Sequence, residues 1–134
     1  MKAAITATIS VLLLAGCVNK PVAFSEAPPV PVDRMYAFQS SGDVQLLITR
    51  DSGLAGAGCN TRFYIDGTLA AEFSAGEGAL FSVPAGERVL GITPSAACGG
   101  GYVIEREVTG RPGDSIRRRI FVSPTQLDLM PTTY

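Results

Sequence analysis

"RFYIDGTLAAEF", residues 62–73, decides the architecture. Two apolar runs flank Asp66-Gly67, the dipeptide that accepts positive φ at both central positions of a two-residue turn. That turn has the twist of the strands on either side, so the stretch reads as an antiparallel hairpin. Outward from it the same texture repeats. "VQLLITR" (44–50) precedes it, and "ALFSV" (79–83) follows, ended by Pro84 and the turn "PAGE". "RVLGIT" (88–93), "YVIEREV" (102–108), "SIRRRIFV" (115–122) and "QLDLM" (126–130) complete the series. These runs are rich in branched residues and are separated by glycine and proline, and none holds a 3.6-residue period. The expectation is an all-β domain over residues 35–134, a small β-sandwich of seven or eight short, mainly antiparallel strands.

Composition narrows function by exclusion. The chain has 134 residues, 46% of them hydrophobic and 17% charged, enough for one folded domain. A net charge of −1 gives no field to recruit nucleic acid, so no nucleic-acid partner is expected. Histidine is absent, which removes the commonest general base and metal ligand. No metal and no dissociable cofactor is expected.

The first sixteen residues differ from the rest. Met1-Lys2 is followed by an apolar run to Leu14, too short for a permanent membrane helix and typical of a signal peptide over residues 1–16. "LAGC" (14–17) resembles the lipobox of bacterial lipoproteins. The resemblance implies cleavage after Gly16, diacylglycerol in thioether linkage on Cys17, and an acyl chain on the new amine. Two or three chains anchor firmly, since each buried methylene contributes about 0.8 kcal/mol. Val18 stands where an aspartate would favour the inner membrane. The sorting pattern of such lipoproteins therefore implies the periplasmic face of the outer membrane. Residues 17–34, with Pro21, Pro28, Pro29 and Pro31, read as a lipidated N-terminus and a semi-extended tether lifting the domain off the membrane.

A second resemblance covers residues 63–122. "FYIDG", then "VPAGERVLGI", then "GRPGDSIRRRIFV" is similar to small PEGA-like lipoprotein domains. That resemblance implies a β-fold in a cell-envelope setting and brings no catalytic residues.

With Cys17 assigned to lipid, Cys59 and Cys98 remain. An even pair in an exported domain reads as one disulfide. The alternatives, a metal site or a redox pair, would need histidine or a CxxC spacing that the chain lacks. The bridge should pin the loop 51–60 against the loop 96–101 at one end of the sandwich. In "RDSGLAGAGCN" (50–60) the glycines do not match a dinucleotide fingerprint. Asp51 is expected to accept backbone N–H groups in a turn, and Ser52 has no base to activate it.

"VIEREV" and "SIRRRIFV" are expected to pair around residues 110–114. Glu105 would then face Arg119 and Glu107 would face Arg117, while Arg106 would meet Arg118 on the nominally buried side. Solvent, a carboxylate such as Asp128 or Glu72, or a bound anion would relieve that contact, so Arg106 and Arg118 are a candidate anion patch. Glu105 and Glu107 project side by side from one strand and cannot flank a glycosidic bond.

These readings point to a non-catalytic, lipid-anchored accessory protein of the periplasm. It would contact a protein or envelope polymer through Asn60, Gly99, Gly100, Gly101 and Tyr102. The alternatives are a structural component of an envelope complex, or a small hydrolase or hydrolase inhibitor. A hydrolase would require a concave pocket with a perturbed carboxylate or an activated hydroxyl.

Overall fold

A computed structural model of the protein describes residues 19–134. The hairpin forms as its turn chemistry dictates: Asp66 and Gly67 take φ of 48° and 78°. They join β2 (Thr61–Ile65) to β3 (Thr68–Phe73) in antiparallel pairing, with a bulge between Phe63 and Tyr64. Six further strands follow the same apolar rhythm: β1 (Val44–Arg50), β4 (Gly78–Val83), β5 (Gly86–Pro94), β6 (Ile104–Gly110), β7 (Ser115–Val122) and β8 (Leu127–Pro131). They form two four-stranded sheets, ordered β4-β1-β7-β8 and β3-β2-β5-β6. The fold is the expected all-β sandwich.

Alternation along each strand supplies the core between the sheets. Leu46 and Ile48 of β1, Phe81 of β4 and Ile120 of β7 meet Phe63, Phe73, Leu90 and Ile92 of the other sheet, all fully buried. Phe63 packs edge-on against Phe73 at 5.9 Å between ring centroids and lies 5.2 Å from Phe81. Such aromatic pairs add about 0.5–1.5 kcal/mol beyond the area they bury.

The pairing of β6 with β7 does not occur. β6 pairs antiparallel with β5, whereas β7 lies parallel to β1 and antiparallel to β8. Residues 111–114 still turn tightly, the Asp114 carboxylate accepting the Arg111 N–H at 2.7 Å, but the turn carries the chain from one sheet to the other. Gly110 permits this crossing, because a Cβ there would lie 2.6 Å from a Val44 methyl. Crossing over also avoids setting Arg106 against Arg118 within one sheet. Arg106 instead bonds Asp128 at 2.7 Å, and Glu72 is taken by Arg62 at 3.2 Å.

The proline-rich segment is not a free spacer over residues 19–34. Val30 is buried, its N–H donates to the Gly78 carbonyl at 2.9 Å, and the Gly78 N–H donates back to Pro28 at 3.0 Å. Arg34, in a short 3-10 turn (Val32–Arg34), forks onto Glu77 with contacts of 2.9 and 2.6 Å. The Tyr36 N–H then reaches the Ala70 carbonyl of β3. Prolines cannot donate to a ladder, but their neighbours do, and the segment covers the outer edges of β4 and β3.

Strand direction divides the connections between two ends. Residues 51–60, 74–77, 95–103 and 123–126 lie at one end, and residues 39–43, 66–67, 84–85 and 111–114 at the other.

Candidate functional site

Cys59, just before β2, and Cys98, in the 3-10 turn Ala96–Cys98 after β5, are joined in a disulfide with Cα atoms 6.0 Å apart. The expected bridge thus staples the two glycine-rich loops at one end of the sandwich. Gly99 takes φ of 85° as the left-handed cap of the 3-10 turn, which a side chain would resist. Gly100 lies against the Ala96 backbone, and Gly101, with φ of 130°, leads to Tyr102, half of which is exposed. Asn60 holds the neighbouring turns together: its carbonyl accepts the Ser95 N–H and its Oδ1 accepts the Ser74 hydroxyl, both at 2.9 Å.

These loops and the 123–126 turn enclose a cleft of about 250 Å³. Asn60, Cys98 and Tyr102 line one wall, Ser123 to Leu127 the other, and Arg50 contributes from within. Arg50 is the residue that sequence reasoning missed. It ends β1 and is 1% exposed. Its Nη1 donates to the carbonyls of Cys59 and Phe73 at 2.6 and 2.8 Å, and its Nη2 donates to Gly56 at 2.7 Å. Its Nε–H has no partner among the described residues. One guanidinium therefore holds the loop 56–59 onto β3, so the shape of the cleft depends on it. Burial lowers its pKa, opposed by the charges of Glu77 and Asp51, yet a guanidinium stays protonated. The available signal was a lone arginine closing an apolar strand before a glycine-rich loop.

Asp51 does not accept turn N–H groups as expected. It is buried, and its carboxylate receives Arg119 at 3.3 Å. Burial pushes its carboxyl pKa up, and Arg119 and Arg50 pull it back. Arg119 also lies over the Phe121 ring, 5.4 Å from its centroid. Asp51 therefore holds the guanidinium of Arg119 on β7, and Ser52 pairs by its backbone with Lys20.

The two arginines of the candidate anion patch go to different places. Arg106 is exposed and engaged with Asp128. Arg118, half-buried and donating to the Arg117 carbonyl at 2.8 Å, lines a separate open groove with Arg117, Ser115 and Thr132. Desolvation lowers its pKa. Cys17 lies outside the described residues. Among those described, no group of three or more acidic or cysteine side chains could hold a metal ion.

Compared with known proteins, the chain matches no family model, no curated protein and no solved structure.

Proposed function

We propose that this chain is a lipid-anchored accessory domain of the bacterial cell envelope, PEGA-like in type, held by Cys17 at the periplasmic face of the outer membrane. It acts by contact and not by catalysis. Its partner is a protein or an envelope polymer, met through the glycine-rich loops at the stapled end. The observation that carries this reading is the cleft between Asn60, Cys98, Tyr102 and the 123–126 turn. Its walls offer backbone, amide, hydroxyl and one half-exposed aromatic ring, the mixture that adaptable contact surfaces use. Among the described residues no carboxylate, free thiol or imidazole lines it, so none of them is a base facing Ser123 or Thr125. Assembly by strand addition has less to support it. The N-terminal segment covers the β3 and β4 edges, and Glu105, Arg106 and Glu107 charge β6. The five-residue β8 edge ends in Pro131 and carries Asp128, paired with Arg106.

A photoreactive residue placed at Tyr102 in the exported, full-length protein tests the proposal. A discrete cross-linked adduct is expected from Tyr102 and none from Pro112 at the opposite end. An adduct from Pro112 alone, or no adduct from either position, contradicts it.

A further inference from the structure

The N-terminal segment enters the sandwich at the stapled end and is fastened there at once. The Asn19 Nδ2 donates to the carbonyls of Ala55 and Val122 at 2.9 and 2.8 Å, and its Oδ1 accepts the Ala55 N–H at 3.2 Å. Lys20 and Ser52 exchange both backbone hydrogen bonds, at 2.8 and 2.9 Å. Gly53 makes room for this clamp, since a Cβ there would overlap the Asn19 side chain. Cys17 is only two residues before Asn19, and two residues reach about 7 Å at most. The tether that could have separated anchor from domain is therefore taken up along the sandwich.

The surface beside that clamp is unusual in composition. Residues 52–60, 95–103 and 123–126 contain no Asp, Glu, Lys or Arg. At that end Asp51 is paired with Arg119 and Glu77 with Arg34, and the exposed Lys20 of the clamp is a cation suited to anionic headgroups. Leu54 is 76% exposed at the tip of its loop, and the half-exposed Tyr102 lines the cleft together with Gly56 of that loop. The opposite end carries Asp43, Asp66, Arg111 and Asp114 on its turns, with Arg88 beside them in β5.

We infer that the stapled end rests on the lipid bilayer, with the loop 53–57 in the headgroup layer and Leu54 at the acyl boundary. The inference rests on the reading of Cys17 as the lipidated residue. One leaflet's headgroup region is roughly 5–7 Å thick, comparable with the reach from Cys17 to Asn19. A thioether at the interface thus holds Ala55 and Leu54 within that layer. Loops without charge lose little solvation there, an exposed leucine gains burial, and a tyrosine suits the interface. The partner that meets the cleft is then one lying in or on the same leaflet.

The test uses full-length lipidated protein with the disulfide intact, in vesicles of phosphatidylethanolamine and phosphatidylglycerol. A fluorophore on Leu54→Cys, or on Ala57→Cys as a second probe of the same loop, is compared with one on Thr68→Cys at the opposite end. Quenching by a headgroup-attached nitroxide lipid should be several-fold stronger for the 54 and 57 labels than for the 68 label. Equal quenching at both ends on a chain whose mass shows the lipid overturns the orientation while leaving the anchor intact. A mass lacking the lipid overturns it through the anchor. Shielding of the Leu54→Cys label in whole envelopes but not in lipid vesicles overturns it in favour of a protein cover.

Discussion

At one end of the sandwich three aspartates on the turns hold the chain by their own carboxylates. Asp66 accepts the Val89 N–H and the Arg88 guanidinium, both at 2.9 Å; Asp43 accepts the Ala85 N–H at 3.0 Å; Asp114 accepts the Arg111 N–H at 2.7 Å. These turns are short and charged; Asp114 bonds within its own turn, Asp66 ties its turn to β5, and Asp43 ties its loop to the 84–85 turn. At the other end two loops, 51–60 and 95–103, are longer and carry no charge beyond the buried Asp51. They are held by the Cys59–Cys98 bridge, the buried Arg50 guanidinium and the Asn19 amide. At the first end the turns' own carboxylates make the bonds. At the stapled end a buried guanidinium and a covalent bridge fix the loops from beneath, which leaves their outer surface free for a partner.

The sharpest way to break this contrast is to remove Arg50. In Arg50→Ala the carbonyls of Gly56, Cys59 and Phe73 lose their donor, and a urea titration should show a loss of about 3–5 kcal/mol. A loss no larger than that of an ordinary surface substitution would mean that water replaces the guanidinium freely. Next in size is reduction of the disulfide, whose cysteines are 39 residues apart. Chain entropy sets its contribution at about 4 kcal/mol at most, and thermal melts with and without reductant should differ by on the order of 15 °C.

One chemical change made at both ends sharpens the comparison. Gly67→Ala meets no atom within 4 Å and incurs only its positive φ of 78°, a cost of about 1 kcal/mol. Gly53→Ala adds overlap with Asn19 to a φ of 133°. It should cost about 1–3 kcal/mol, as overpacking does, and make the N-terminal segment cleavable by protease. Equal effects at the two glycines would remove the clamp from the account.

The smallest effect is Asp66→Asn. The Val89 N–H, then Arg88, hold the Asp66 carboxyl below the ordinary carboxylate range. A lowered folded-state pKa contributes stability that is present above about pH 4, the unfolded carboxylate value, and is lost as pH falls through the folded value. Because the group is exposed, a few tenths of a kcal/mol are expected at neutral pH. The difference from wild type should vanish in urea titrations at about pH 2.

The strands were legible because alternation and turn chemistry act over a few residues. β1 and β7 run just as their apolar patterns suggest, and Asp66-Gly67 adopts the turn its residues demand. Partner choice was not legible. Two strands joined by a tight turn usually pair, and only the close approach of Gly110 to Val44 and the parallel seat beside β1 reveal a crossing between sheets. Of the candidate site, the stapled loops could be read from two cysteines among glycines. The buried state of Arg50 could not, because its three acceptors are carbonyls, which any residue supplies. Asn19 was hidden for the same reason: it bonds backbone 36 and 103 residues away.

Hydroxyl-radical footprinting compares both ends at once and tests the division of labour between them most directly. Full-length protein in intact envelopes is set against the same protein purified in detergent. The account predicts protection in the envelope centred on Leu54 and Tyr102, with Pro84 and Pro112 labelled equally in both settings. Protection centred on Pro84 and Pro112, with Leu54 and Tyr102 open, would contradict it.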